Sequence, residues 1–475
     1  MKLPANKTKI VCTIGPASES EEVMVQLVRA GMNIARLNFS YGDFDRHKKV
    51  IENLRSAAQS TGRRIAIMAD LPGPKMRIGR LNKEPVELLP GDMFTLTAKE
   101  MIGDKGKASV TFIRLSQVVR PGDTLFLNDG IIQLEVRKIQ GDDVVCTTLV
   151  GGELRSHKGI NLPGIELGIS AFTDRDHECL KFAIEQGVDA VSQSFVESGA
   201  DITAVRNAAE SLGRNIFIIA KIERANALNH IDEILQEADG IMIARGDLGV
   251  EIPIEQIALF QKQLMNKANL SGKPAITATQ MLESMIENKR PTRAEATDVA
   301  NAILDGTDCV MLSGESAMGK YPVEAVSMLA RIAEAVEPHR TVYHVREALR
   351  TISRHEKVSL TDLIALSVES TLERILPAAV FVPTRSGATA RSITRFRLPV
   401  WIIAVSSQEA TCQRLQFSYG VYPINESTHP DHWNSFIKEW LRSHDVKGKL
   451  AVLTEGPSSK RPDANNRMEI IDLTR

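Results

Sequence analysis

The chain has 475 residues, 43% of them hydrophobic and 25% charged, with a formal net charge of -1. This length predicts two or three domains, and the balanced charge gives no support to a nucleic acid or another polyanion as a partner. Because the five cysteines are scattered without paired or metal-type spacing, and no stretch reaches the roughly 18 consecutive apolar residues of a membrane span, we expect a cytoplasmic protein in a reducing compartment, away from membranes.

The first part of the chain alternates short apolar runs with amphipathic helical segments. Its predicted strands are residues 9–15, 33–40 and 64–70, and its predicted helices are residues 21–30 and 44–59. The pattern breaks between residues 71 and 168, where short runs rich in Val, Leu and Phe are separated by turn sequences such as PGD at 90–92 and 121–123. These features predict an all-β domain inserted after the third strand.

The alternating pattern resumes near residue 173 and supplies five more predicted strands. These strands are residues 190–196, 216–223, 240–247, 274–280 and 308–315. Three strands before the break and five after it give the eight strands of a closed parallel barrel. We therefore assign residues 1–70 and 169–340 to a (β/α)₈ barrel and residues 71–168 to an inserted β domain.

The rest of the chain, residues 341–475, is predicted to be a separate C-terminal domain. It begins with a charged stretch over residues 341–361, and its predicted strands are residues 379–384, 400–405, 420–424, 450–454 and 468–472. Helical segments between the earlier strands indicate an open α/β sheet. The predicted fold class is thus α/β, a TIM barrel with an inserted β domain and a C-terminal open-sheet domain.

Polar residues recur at alternate positions near the ends of the predicted barrel strands. Alternate residues share one face of a strand, and barrel enzymes carry their working residues at the C-terminal strand ends. The sets are Arg36, Asn38 and Ser40; Lys221 and Glu223; Arg245 and Asp247; Thr277 and Thr279; and Ser313 and Glu315. Such groups are costly to bury without a ligand, so their convergence predicts one polar site at one mouth of the barrel.

The charges in this predicted site indicate phosphoryl chemistry. Arg36, Lys221 and Arg245 supply positive charge, whereas Glu223 and Asp247 supply two carboxylates. Two carboxylates together with substrate oxygens are a usual setting for Mg²⁺. Phosphoryl transfer needs cations around the transferred group and in-line positioning rather than covalent work by the protein.

Seven motifs in the barrel give the chain a close resemblance to the pyruvate kinases. They are TIGPAS at 13–18, MNIARLNFS at 32–40, IAKIE at 219–223, ARGDLG at 244–249, ATQMLES at 278–284, RPTRAE at 290–295 and MLSGE at 311–315. In this order they are highly specific, and the match covers essentially the whole barrel. The resemblance implies phosphoryl transfer from phosphoenolpyruvate to ADP, giving pyruvate and ATP, in the last step of glycolysis.

The resemblance also implies roles for individual residues in catalysis. Glu223 and Asp247 would bind Mg²⁺, for which Mn²⁺ can substitute, while Lys221 would steady the transferring phosphoryl group and Arg36 would contact a phosphate. Thr279 would lie near the methylene carbon of the enolate, within the proton-delivery relay. The backbone N–H groups of Gly246 and Asp247 would bind the substrate carboxylate, since helix N-termini suit anions.

On the nucleotide side, the resemblance implies contacts from Asn38, Arg77 and Lys158, the last two when the inserted domain closes as a lid. Tyr41 stands where the family often has His after the Asn-Phe-Ser run, which leaves that contact open. The family is also expected to form a homotetramer.

The segment DLPGPK at 70–75 departs from the family pattern. Many members have Glu after Gly-Pro and hold K⁺ with side chains such as those matching Asn38, Ser40 and Asp70. In this chain Lys75 follows Gly-Pro, in the same monovalent-cation region as Asp70 and Leu71. Its ammonium group is expected to replace K⁺, so we predict catalysis without an added monovalent cation.

An effector site is predicted in the C-terminal domain. The segment with Thr384, Arg385, Ser386, Gly387 and Thr389 follows a strand and opens a helix, where hydroxyl and N–H groups can hold a phosphate. The basic turn at 458–462 is expected to face it. These features indicate allosteric control by a phosphorylated metabolite, whereas a plain helix cap remains an equal alternative.

Simpler and rival interpretations stay open at this point. Ser313 and Glu315 are more simply read as groups that satisfy loop backbone, and Lys75 as a solvated hinge residue. Another enolate barrel enzyme, such as a metal-dependent aldolase or a phosphoenolpyruvate mutase, would share Mg²⁺ but not a nucleotide-side lid. A non-catalytic metabolite sensor would be expected to lack Lys221, Glu223, Asp247 or Thr279, and all four are present.

Overall fold

The computed structural model describes residues 2–340, 359–428, 430–457 and 465–475. Its first elements are three strands that alternate with two helices, as predicted. Side chains at the helix starts satisfy free N–H groups: the Ser20 hydroxyl accepts from the Val23 N–H, and the Asp43 carboxylate accepts from the Arg46 N–H at 2.8 Å. The elements are β1 (Lys9–Thr13), α1 (Glu21–Ala30), β2 (Ile34–Asn38), α2 (Phe44–Thr61) and β3 (Ala66–Leu71).

The next stretch of chain is almost entirely strand, which confirms the predicted inserted β fold. Its strands form a six-stranded sheet of order β11-β7-β8-β9-β5-β6 and a two-stranded sheet of β10 and β4 around their own apolar cluster. Buried and exposed residues alternate along β8 and β9, as in a sheet with one covered face. The elements are β4 (Val86–Leu88), β5 (Met93–Thr97), β6 (Lys107–Ser109), a one-turn helix α3 (Leu115–Val118), β7 (Thr124–Leu127), β8 (Ile132–Gln140), β9 (Asp143–Val150), β10 (Gly152–Leu154) and β11 (Ile160–Asn161).

Five further strands complete a closed parallel barrel of order β1-β16-β15-β14-β13-β12-β3-β2, which confirms the predicted count. The elements are α4 (Asp174–Glu185), β12 (Ala190–Gln193), α5 (Gly199–Ser211), β13 (Phe217–Ile222), α6 (Ala225–Asn229), α7 (Ile231–Glu237), β14 (Gly240–Ala244), α8 (Arg245–Glu251), α9 (Ile257–Leu270), β15 (Ala275–Ala278), α10 (Arg293–Leu304), β16 (Cys309–Leu312), α11 (Gly314–Ala317) and α12 (Pro322–Val336). Single 3-10 turns occur at Ile254–Gln256, Glu283–Ile286 and Glu337–His339.

Several barrel strands end earlier than predicted. β14 stops at Ala244, and the next seven residues form α8, so Arg245 and Asp247 do not share a strand face and that prediction is wrong. β15 stops at Ala278 because Thr279 and Gln280 adopt positive φ values of 69° and 52°, which no strand accommodates. β16 likewise ends at Leu312, before Ser313 and Glu315.

The C-terminal part is an open five-stranded sheet of order β19-β18-β17-β20-β21, with only β21 antiparallel. Separate apolar clusters cover its two faces, as expected for an α/β sheet. The elements are α13 (Leu360–Leu372), β17 (Val380–Pro383), α14 (Ala388–Thr394), β18 (Ile402–Ser406), α15 (Glu409–Arg414), a 3-10 turn (Leu415–Phe417), β19 (Val421–Asn425), α16 (Trp433–Ser443), β20 (Leu450–Glu455) and β21 (Arg467–Asp472). Most of the charged stretch 341–361 and the basic turn at 458–462 lie outside the described residues.

The C-terminal sheet is attached to the barrel at its N-terminal end. Phe417 belongs to the apolar cluster inside the barrel and stacks on Phe217 of β13, with ring centroids 5.3 Å apart. Arg397 forms a buried ion pair of 2.7 Å with Asp308, whose carboxylate also accepts from the Tyr419 N–H. This attachment leaves the opposite, C-terminal mouth of the barrel to face the inserted β sheet.

Two further expectations concern the chain as a whole. All five cysteines are buried and free, as the sequence predicted. Among the described residues, no helix has both the length and the apolar character needed to cross a membrane. The domain limits at residues 70, 168 and 340 stay predictions.

Candidate active site

A buried network of charges lies at the C-terminal ends of β2, β3 and β13. The Arg36 guanidinium donates to Asp70 Oδ2 at 3.0 Å through Nε and to Thr13 Oγ1 at 2.8 Å through Nη1. Lys221 Nζ lies 2.7 Å from Glu223 Oε1 and 3.4 Å from Asp70. The structure therefore brings together the predicted residues Arg36, Lys221 and Glu223, with Asp70 between the two cations.

The pKa shifts of Asp70 and Lys221 keep both groups ionised. Burial alone would raise the pKa of Asp70, but Arg36, Lys221 and a hydrogen bond from Ser192 outweigh burial and lower that pKa to about 2. Burial would lower the pKa of Lys221, but the carboxylates of Asp70 and Glu223 outweigh it and raise that pKa. Lys221 therefore stays an ammonium ion, which is suited to stabilising phosphoryl charge and unsuited to Schiff-base chemistry.

The two predicted metal ligands, Glu223 and Asp247, lie close enough to repel each other. Glu223 Oε2 accepts from the Phe195 N–H at 2.8 Å, which fixes its orientation. Burial and then the charge of Glu223 raise the pKa of Asp247 to about 7. A divalent cation between two such carboxylates would relieve that repulsion, so these residues fit Mg²⁺. Within the described part of the chain no cluster of three or more His, Cys, Asp and Glu ligands occurs.

Thr279 lies over the start of α8. Its Oγ1 accepts from the Gly246 N–H at 2.7 Å and donates to the Ala278 carbonyl at 2.6 Å. The positive φ of 69° at Thr279 is strained for a β-branched residue, and such strain is typical of functional sites. A Cβ at Gly246 would lie 3.4 Å from Thr279 Oγ1, an ordinary contact distance, so the two residues are direct neighbours. Thr279, Gly246 and Asp247 are thus neighbours at one helix N-terminus.

Two of the sequence-selected polar residues, Arg245 and Glu315, point elsewhere. Arg245 donates to Asp298 on α10 at 2.8 Å and to the Thr279 carbonyl at 2.8 Å, so it supports the loop after β15 instead of supplying charge to the site. Glu315 accepts from the N–H groups of Leu282 and Ser313. Glu315 therefore takes the backbone-supporting role that was its simpler interpretation, and the Ser313 N–H is one of the groups that it supports.

Two of the three residues predicted for the nucleotide side, Arg77 and Lys158, lie at the base of the inserted domain. Arg77 Nη1 donates to the His157 carbonyl at 2.7 Å, and the Lys158 carbonyl accepts from the Ile78 N–H at 2.9 Å. Arg77 and Lys158 are thus brought together where the chain enters and leaves the inserted sheet. Asn38, on β2, uses Oδ1 to accept from the Ser40 N–H at 3.1 Å, so both stabilise the turn after that strand.

Lys75 lies at the edge of the charge network. Its Nζ is 5.3 Å from the centre of the Tyr41 ring, which stabilises a cation. Burial, followed by the charges of Arg77 and Lys221, lowers the pKa of Lys75 to about 8, whereas Asp70 and Glu223 oppose the shift. This sensitivity to Asp70, Glu223 and Lys221 shows that the Lys75 charge belongs to the same electrostatic environment as the site.

The predicted effector segment forms the turn between β17 and α14. The Thr384 hydroxyl accepts from the Gly387 N–H at 2.9 Å, and the Ser386 hydroxyl accepts from the Ala388 N–H. The Arg385 carbonyl accepts from Thr411, and Thr389 lies in the first turn of α14. These contacts resemble a helix cap, with Gly387 in the left-handed region at a φ of 83°.

Two serines and one arginine near the site were missed by the sequence analysis. Ser192 Oγ donates to Asp70 Oδ1 at 2.7 Å, and Ser194 Oγ accepts from Lys221 Nζ at 2.7 Å. Their alternate spacing at the end of β12 was the available signal. Arg224, directly after Glu223, is almost fully buried at 2% exposure, and no periodic pattern marks it.

Comparison with known proteins agrees with this geometry. Residues 5–326 match the family described as the pyruvate kinase barrel domain, and residues 362–471 match the pyruvate kinase alpha/beta domain. The pyruvate kinase of Thermococcus litoralis is 49% identical over 89% of this chain and 90% of its own length. That of Geobacillus stearothermophilus is 44% identical over 98% of this chain and 80% of its own length. A crystal structure of a pyruvate kinase from Cryptosporidium parvum covers 99% of this chain and 96% of its own, with a TM-score of 0.91 at 36% identity.

Proposed function

Because the chain belongs to the pyruvate kinase family, we propose that the charge network described above transfers a phosphoryl group with the help of Mg²⁺. Membership makes the protein a phosphotransferase that acts on phosphoenolpyruvate and ADP and forms pyruvate. The aldolase, mutase and sensor alternatives have no comparable support. We propose in addition which residues stabilise the transferring phosphoryl group, which residues bind the metal ion, and whether K⁺ is required.

The observation that carries the proposal is the pairing of permanently charged cations with two carboxylates in one buried mouth. Asp70 and Glu223 keep Lys221 charged, and Arg36 donates to Asp70, so both cations can stabilise negative charge on the equatorial oxygens of a transferring phosphoryl group. Glu223 and Asp247 would hold Mg²⁺, which supplies charge neutralisation for the phosphate and enolate oxygens.

The N-terminus of α8 is proposed to hold the substrate carboxylate. The N–H groups of Gly246 and Asp247 lie at this helix start, where the backbone favours anions. Thr279, bonded to Gly246 N–H in the described arrangement, would then stand beside the three-carbon unit. A hydroxyl there can donate a hydrogen bond to the relay that delivers a proton to the methylene carbon once phosphoryl transfer has formed the enolate.

The inserted domain is proposed to act as a lid over this mouth. It contacts the barrel near the site, because a Cβ at Gly130 would lie 3.2 Å from Val250 of α8. Arg77 and Lys158 at its base would approach the nucleotide phosphates as it closes, and closure would exclude water from the transfer.

Lys75 is proposed to supply the charge that K⁺ provides in many pyruvate kinases. Its position over Tyr41 and its electrostatic contact with Asp70, Glu223 and Lys221 support this role. With an ammonium ion already present, a monovalent cation is expected to be dispensable.

Three further features are proposed on the strength of the family alone. The turn from Thr384 to Thr389 would bind a phosphorylated effector after its cap hydrogen bonds rearrange. The protein would assemble as a homotetramer, and it would act in the cytoplasm, where glycolytic substrates and reduced thiols occur.

The experiment that tests the proposal is the formation of pyruvate from phosphoenolpyruvate and ADP in K⁺-free buffer, before and after removal of divalent metal. Turnover that disappears with a chelator and returns with Mg²⁺ or Mn²⁺, without K⁺, is the expected result. Turnover that survives metal removal would overturn the metal role, and turnover that appears only with K⁺ would overturn the role of Lys75.

A further inference from the structure

Arg224 joins three parts of the chain that meet beneath the inserted domain. Its Nη2 donates to the Ile165 carbonyl at 2.7 Å, in the segment through which the chain returns to the barrel. Its Nε lies 3.3 Å from Glu251 Oε2 at the end of α8, and its Nη2 lies 3.4 Å from Glu197 Oε1 in the loop after β12. One guanidinium thus contacts the inserted domain, α8 and the barrel rim.

Fold stability alone does not account for an arginine at this position. The side chain is buried, yet within the described part of the chain its Nε and Nη1 have no hydrogen-bond partner. Both ion pairs are longer than a good charged hydrogen bond. Burying a guanidinium with such incomplete pairing is unfavourable compared with an apolar side chain of the same size.

The inserted domain also contacts α8 at a second point. The turn between β7 and β8 reaches Val250, since a Cβ at Gly130 would lie 3.2 Å from its Cγ2. Val250 and Glu251 form the last turn of α8, and Gly246 and Asp247 form its first. A helix of seven residues moves as one unit. A shift of the inserted domain against Val250 and Glu251 would therefore also move the Gly246 and Asp247 N–H groups and the Asp247 carboxylate at the N-terminus of α8.

We propose that Arg224 is a positioning residue that couples the position of the inserted domain to the orientation of α8. Through this coupling, closure of the lid would align the substrate carboxylate site at Gly246 with the metal ligand Asp247. The inference rests on the proposed lid function and adds to it the residue that connects lid and site. Arg224 itself is not expected to touch the reacting atoms.

Kinetics of four variants test the coupling: Arg224→Met, Arg224→Lys, Glu251→Gln and the double variant Arg224→Met/Glu251→Gln. Loss of alignment is expected to raise the KM for phosphoenolpyruvate about tenfold with less than about a threefold fall in kcat. Lysine can reach Ile165 or Glu251 but not both, so Arg224→Lys should be intermediate. Because Arg224 and Glu251 act together, the double variant should be no worse than Arg224→Met.

Hydrogen exchange of the substrate-free protein provides a readout that does not depend on turnover. In Arg224→Met, exchange should increase together in residues 162–168 and in residues 245–251. The matched control is Arg206→Met, which removes a hydrogen bond of 2.6 Å to the Glu237 carbonyl and an ion pair with Asp239 at the opposite end of the barrel. That control should leave both segments and the KM unchanged.

The possible outcomes separate the coupling from the function on which it rests. If the wild-type protein shows no turnover, the kinase proposal fails, while the exchange pattern still tests the coupling. Exchange that rises in only one of the two segments, an unchanged KM in Arg224→Met, or an equal KM effect in Arg206→Met would overturn the coupling. If Arg224→Met does not fold, Arg224→Lys carries both measurements.

Discussion

Replacing Lys75 with glutamate is expected to make catalysis depend on K⁺. Lys75 places its ammonium over the Tyr41 ring and in electrostatic contact with Asp70 and Glu223. Its replacement in Lys75→Glu removes a fixed positive charge and adds an oxygen ligand at the same place. A K⁺ ion can then occupy the space and restore the charge.

The size of the effect follows from the charge and its pKa. Removing one preorganised charge from a phosphoryl-transfer site typically costs about 10²- to 10³-fold in rate, and K⁺ should restore the variant to within about tenfold of wild type if the geometry is kept. The wild-type lysine, with a pKa of about 8, is about 90% charged at pH 7 and about 10% charged at pH 9. K⁺-free activity that depends on this charge should therefore fall roughly ninefold between those pH values, and K⁺ should reduce the loss.

The assay is pyruvate formation in tetramethylammonium buffers with K⁺ as the only variable, at pH 7 and pH 9. The control is Lys83→Glu, the same charge reversal at an exposed lysine of the inserted domain, which should leave K⁺ dependence unchanged. Wild-type enzyme that needs K⁺ at pH 7, or a Lys75→Glu variant that ignores K⁺, would refute the reasoning.

Three other predictions address the metal site, the barrel base and a buried carboxylate. Glu223→Gln should weaken Mn²⁺ binding at least tenfold in a spin-resonance titration, because it removes one of two charged ligands; unchanged binding would place the metal elsewhere. Phe417→Ala should lower the free energy of unfolding by about 3–5 kcal/mol in urea titrations, and Phe417→Leu by less; equal, small losses would show that Phe417 does not fill the barrel base. Burial raises the pKa of Asp189 to about 6, so its stabilising contribution is present at low pH and is lost as pH rises through 6. Asp189→Asn should therefore add up to about 3 kcal/mol at pH 8 and about half of that at pH 5, and a gain that is equal at both pH values would contradict the cause.

The barrel could be predicted from sequence because its signals are local and repeated. Eight apolar runs, separated by segments with the periodicity of amphipathic helices, determine the strand count. Capping residues such as Ser20 and Asp43 mark the helix starts. Arg36 and Lys221 were found because a charge near the end of an apolar strand is unusual. The inserted sheet was equally visible, since helical periodicity stops and turn sequences begin.

The rest of the site depends on contacts that no local pattern records. Ser192 and Ser194 stabilise Asp70 and Lys221, but serine is common in many settings, so their alternate spacing by itself is a weak signal. Arg224 acts through Ile165 and Glu251, which are distant in sequence. Thr279 has a positive φ that threonine by itself disfavours, so its conformation could not be predicted from its residue type.

Arg245 and Asp247 were wrongly predicted to share a strand face. Their actual positions in a helix show how the motif ARGDLG at 244–249 supplies both a structural group and a proposed functional group. In a strand, the side chains of residues 245 and 247 would point to the same side. In a helix, successive side chains are about 100° apart, so the side chains of residues 245 and 247 are about 200° apart and point to roughly opposite sides. Arg245 accordingly turns outward to Asp298, and Asp247 turns toward Glu223. The early end of β14 also leaves the N–H groups of Gly246 and Asp247 at a helix start, free of strand pairing. A continued strand would have paired these successive N–H groups with the strands on its two sides, β15 and β13, and left no place for the proposed carboxylate site, so the departure from strand periodicity is itself what that proposal requires.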